Sequence, residues 1–143
     1  MKTPVLQAVF LVSALALGAC SSMPSWMPGS GATKVSLSGA DEVPPVSTSA
    51  SGSGSFRIAD DGSVSGSVKT SGVQGTMAHI HMAPKGKNGP VIVPLTKDGD
   101  TYSVPEGKKL TAEQLQAFKD GNLYVNVHSA ANKGGEVRAQ LQP

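Results

Sequence analysis

From Lys34 to Pro143, hydrophobic side chains recur at every second position in short runs that break at Gly, Pro, Asn and Asp. Val35 and Leu37 alternate with polar neighbours, as do Phe56 and Ile58, then Val64 and Val68, then Val91, Val93 and Leu95. Successive strand side chains point to opposite faces, so each set marks one buried face of a strand. Short alternating runs separated by turn residues predict an antiparallel sandwich or barrel. Asp61-Gly62 lies where a tight hairpin turn is needed, and Asn88-Gly-Pro90 and Asn132-Lys-Gly-Gly135 punctuate the chain in the same way. In the last two runs the inward sets are Leu123, Val125 and Val127, then Val137, Ala139 and Leu141. Pairing Val127 with Val137 places Glu136 opposite His128 on the outer face, where its carboxylate becomes an outer-shell candidate to orient that ring.

One helical segment interrupts the strands. Thr111 and Gln114 have capping-box spacing, Leu110 and Leu115 are placed as a hydrophobic staple, and Gly121 stands where a helix would stop. Leu115 and Phe118 then face the core, and the segment reads as a structural plug.

The first 33 residues follow a different pattern. Lys2 precedes the mostly apolar stretch Val5 to Leu17, and small residues lead into Cys20, the only cysteine. That stretch is short for a membrane span and reads as a secretory signal over residues 1–19. Residues 20–33, rich in Ser, Pro and Gly and containing the sole tryptophan, Trp26, read as a tether. With Cys20 as the lone cysteine no intramolecular disulfide is available, so stability must come from packing, hydrogen bonds or a metal. The whole chain carries 12 basic and 10 acidic side chains, and loss of Lys2 with the signal leaves a net +1. That balance gives no basis for nucleic-acid binding.

Chemistry concentrates on the histidines, of which there are three. His79 and His81 stand two apart in "TMAHIHMA", so they share a strand face roughly 6.5 Å apart along the chain. Ala78, Ile80 and Met82 then look inward, and His128, closing "NLYVNVHS", supplies a third imidazole if its strand lies nearby. Three histidines without a thiolate suit one copper or zinc ion, with a fourth position left for water or a small ligand. The plainer alternative is that the rings are local hydrogen-bond fixtures. Met77, on the face of His79 and His81, offers a soft sulfur, although peripheral packing also accounts for it. Lys85, Lys87 and Lys133 follow the histidine runs and either steer anions or are ordinary solvated loop lysines. No G-x-S-x-G elbow, phosphate-cradling loop or H-E-x-x-H helix occurs.

Three segments carry a resemblance: "LSGADEVPPV", "AHIHMAPKGKNGPVIVPL" and "LTAEQLQAFKDGNLYVNVHSAANKGGEVRAQL" are similar to the CHRD domain, named for chordin and found in bacterial secreted proteins. The likeness implies an all-β fold, an antiparallel, Greek-key-like, immunoglobulin-like β-sandwich with one short helix before the last two strands. It implies no established activity. A fainter similarity to copper-zinc superoxide dismutase rests on the His-x-His strand and the late histidine. With three histidines and one cysteine, the dinuclear site and disulfide of that enzyme cannot be built here. The residues before Cys20 also resemble the bacterial lipobox, which implies lipidation at Cys20. Ser21 in place of Asp then implies an outer-membrane address, facing the periplasm or the cell surface.

These readings converge on an exported, lipid-anchored envelope domain, residues 34–143, that binds rather than catalyses. His79, His81 and His128 are its candidate ligands for one copper or zinc ion. A metal-free structural or protein-interaction module, and a copper enzyme acting on superoxide or a related oxidant, stay open as alternatives.

Overall fold

A computed structural model describes residues 31–143. The signal, Cys20, Trp26 and most of the tether fall outside the described residues. Nine strands form one antiparallel sheet: β1 (Thr33–Ser38), β2 (Ser51–Ile58), β3 (Val64–Ser71), β4 (Gly75–Met82), β5 (Val91–Pro94), β6 (Thr96–Asp98), β7 (Thr101–Ser103), β8 (Leu123–Ser129) and β9 (Val137–Leu141). Their order is β5-β4-β8-β9-β1-β2-β3-β7-β6. The Leu95 N–H donates to the Ala78 carbonyl at 3.0 Å, so the two ends of the sheet curl back toward each other. The outcome is the expected all-β antiparallel fold, a sandwich curled almost into a barrel.

The sequence alternation explains why these strands close on one core. Leu37, Phe56, Val68, Ile80, Val93, Leu123, Val125, Val127, Val137 and Leu141 are all at most 2% exposed and meet inside. Each such side chain contributes roughly 1.5–3 kcal/mol relative to exposure. The β2–β3 hairpin turns at Asp61-Gly62, with Gly62 at φ +83°, a conformation that a side chain would resist. Val127 pairs with Val137, the register read from the alternation.

Val91 departs from the expected pattern and is 48% exposed. Its strand carries a register shift: Val93 pairs with inward Ile80, whereas Val91 pairs with outward His81. The irregularity moves Val91 to the other face. The helix α1 (Ala112–Lys119) forms with both hydrogen bonds of the Thr111/Gln114 capping box, and Phe118 is buried beneath it.

The strands β4, β8 and β9 position the site. In β8 every residue is buried, on both faces. One face meets the core; the other is roofed by three loops, 39–50, 83–90 and 130–136, whose contacts are described next.

Candidate metal centre

Strand alternation sends His79 and His81 of β4 and Tyr124, Asn126 and His128 of β8 to the roofed face. The register puts His79 opposite Asn126 and His81 opposite Tyr124, and Asn126 in turn opposite Arg138 of β9. The three histidines therefore come together from two adjacent strands, and one ligand atom from each lies within 4.8 Å of the others. His79 Nδ1 is 3.1 Å from His128 Nε2.

Two of the rings are held by backbone carbonyls. His81 Nδ1 donates to the Gly89 carbonyl at 2.9 Å, and His128 Nδ1 donates to the Lys133 carbonyl at 2.8 Å. Both bonds place the proton on Nδ1 and leave Nε2 as the lone-pair nitrogen, the arrangement that metal-ligating histidines use; that of His128 faces His79 Nδ1. His81 Nε2 is buried and has no hydrogen-bond partner.

The site is less open than the sequence implies. His81 is 7% and His128 8% exposed. Burial holds the His81 imidazole below its ordinary pKa. Burial first, then the neighbouring His128 and His81, push His79 down to about 4. His79 and His81 are thus neutral at physiological pH, as ligands must be.

The expected Glu136 neighbour of His128 is absent. The Glu136 N–H donates to the Val127 carbonyl although Val127 pairs with Val137, so two residues of one strand stand against one of the other. This β-bulge breaks the alternation that would carry Glu136 to the histidine face. Its carboxylate accepts from the hydroxyls of Ser129 and Thr48, which hold it below the usual carboxylate range. Lys133's carbonyl orients His128 instead. Met77 is 50% exposed at the rim, and the Lys85, Lys87 and Lys133 side chains are exposed, while the main chain of Lys87 and Lys133 makes the useful contacts.

Four further residues belong to the site. Tyr124 stacks on His81, ring centroids 4.7 Å apart and planes 4° from parallel, and its hydroxyl accepts from the Gly89 N–H at 3.2 Å. The Arg138 guanidinium covers the other face of Tyr124 at 3.4 Å. It also donates to Asn88 Oδ1 at 3.2 Å and to the Lys87 carbonyl at 2.9 Å. Beside it lie Asn126 and Glu42, 2% and 3% exposed. Tyr124, Asn126 and Arg138 were within reach of the strand period and register. Glu42, in a loop, carried no such signal.

The family model that matches this arrangement is the CHRD domain, over residues 33–141. The chain belongs to the CHRD family. No curated protein and no solved structure matches it significantly. Membership makes the domain a binding or interaction module. In this CHRD domain the segments that carried the sequence likeness, around Glu42, His79 to Pro90 and Leu123 to Leu141, are the ones that build the roofed face.

Burial raises the Glu42 carboxyl from 4.5 to about 7, and Arg138, Asn126 and the Val43 backbone lower it by less. A carboxyl that holds its proton longer when folded adds stability at low pH, which is lost as the pH rises through about 7. His79 acts with the opposite sign: its contribution is present above 6.5 and is lost as the pH falls toward 4. In EDTA, Glu42→Gln is therefore expected to gain on the parent as the pH rises from 5 to 8, by about 5 °C in melting temperature. A difference that stays constant across that range would show that Glu42 is not held protonated.

Proposed function

We propose that this chain is a lipid-anchored cell-envelope protein whose CHRD domain binds one copper or zinc ion through His79, His81 and His128. One observation carries the metal reading: His81 Nε2 is a buried, unpartnered lone pair on a ring whose Nδ1 is already committed to a carbonyl, beside His128, whose Nδ1 is committed in the same way. Leaving such an acceptor dry and unpaired costs roughly 1–3 kcal/mol, which a cation would relieve. Three neutral nitrogens without sulfur suit copper or zinc. Attachment through Cys20 rests on the leader and the lipobox-like residues; among the described residues no helix is long and apolar enough to cross a membrane.

The 3.1 Å contact of His79 with His128 favours one other reading, in which the rings pair with each other and the module serves structure or protein interaction alone. Titration calorimetry of the purified chain with Cu(II) and Zn(II) separates the two. About one equivalent taken up, with a rise in melting temperature that grows with metal concentration, is the expected result. No heat and an unmoved melting temperature in excess metal would leave the metal-free module.

A further inference from the structure

Three buried side-chain acceptors on the described residues have no partner: His81 Nε2, Asn126 Oδ1 and Glu42 Oε1. All three lie at the roofed face. Asn126 stands opposite His79, two residues before His128 on the same face, and Tyr124, two residues before it, stands opposite His81. All three rings thus lie on its own strand or the adjacent one, on that face.

The hydrogen-bond network settles which way the Asn126 amide points. Its Nδ2 donates to the Gly134 carbonyl at 3.3 Å. Glu42 Oε1 lies on the same side as that nitrogen, both over Gly135. An amide nitrogen carries two hydrogens, and both acceptors are on this side, so the oxygen is turned the other way. Glu42 and Asn126 meet over the Cα of Gly135, where any side chain would strike both. The Asn126 oxygen and the His81 nitrogen are then two buried lone pairs with no protein donor to serve either.

We infer that the amide oxygen of Asn126 is the fourth donor to the ion held by His79, His81 and His128, giving a closed three-nitrogen, one-oxygen site. This rests on the metal reading above and sharpens it. A four-coordinate site supplied wholly by protein is the structural kind, whereas a catalytic site keeps a position for water or substrate. The ion then braces β4 against β8 and the roofing loops. The Gly134 carbonyl acts at one remove, holding the amide so that its oxygen faces the rings.

The test uses the purified full chain with Zn(II), Co(II) and azide. Native protein should bind one equivalent of Zn(II), and Asn126→Leu should bind it on the order of 100-fold more weakly. The Co(II) spectrum should ignore millimolar azide in the native chain and shift with it in Asn126→Leu, where a position has opened. Zinc affinity in Asn126→Leu within about three-fold of native, or an azide shift in the native chain, overturns the fourth donor while leaving the three histidines intact. No uptake by the native chain overturns both. If Asn126→Leu fails to fold, Asn126→Asp, which keeps an oxygen, should bind Zn(II) at least as tightly as native, and either weaker binding there or an azide shift in the native chain overturns the fourth donor.

Discussion

Replacing His81 with alanine is expected to weaken Cu(II) or Zn(II) binding by at least about 100-fold, more than loss of an outer-shell partner brings. No other ring is so fully fixed. The Gly89 carbonyl holds Nδ1, the Tyr124 ring lies flat against one face, and Arg138 backs that tyrosine, so Nε2 has one direction available. The alanine variant loses a nitrogen and also its pre-organisation. Without metal the same change should cost little more than the lost stacking and the freed Gly89 carbonyl, roughly 1–3 kcal/mol. Calorimetry and thermal melting, each with and without metal, separate the two effects. An affinity unchanged from the parent would remove His81 from the ligand set.

Arg138→Ala should be the most damaging single change to the fold, destabilising it by about 3–5 kcal/mol. The guanidinium is 1% exposed. It donates to Lys87 and Asn88 of the 83–90 loop and to Gln140 Oε1, stacks on Tyr124, and provides the charge that partly offsets the burial of Glu42. Removing it leaves a buried carboxyl without its cation and releases the loop that holds His81. Arg138→Lys keeps the charge without the flat fork, and should fall between parent and alanine. A loss under about 1 kcal/mol in Arg138→Ala, read from urea unfolding, would show that the loop stands without it.

The shared face of His79 and His81 was legible because it depends on period alone, whereas the place of His128 beside them waited on the pairing of β4 with β8. His79 and His81 share a face by their spacing, and the strict alternation of Leu123 to Val127 against Val137 to Leu141 fixed the pairing of β8 with β9. The two misplacements have one cause. Register slips, at Ile80/His81 for Val91 and at Glu136 for the expected carboxylate, reverse the face of whatever follows, and a bulge has little signature in residue type. Burial of the rings was invisible for another reason. The roof over the sheet is held by carbonyls of Gly89, Lys133 and Lys87, and every residue has a carbonyl. Glu42 stayed hidden because only the path of its loop, pinned by the bond from Val46 N–H to the Gly39 carbonyl at 2.9 Å, brings it under that roof.

That roof divides the rim of the site into two kinds of variation. Lys87 and Lys133 support the rings through atoms that any amino acid would supply, while their ammonium groups stand in solvent. The charge displayed around the pocket can thus be rewritten, residue by residue, without disturbing the pocket itself. An inserted or deleted residue in either loop has no such freedom, since it moves the carbonyl away from its ring. The face the domain presents is adjustable and the ring supports beneath it are not.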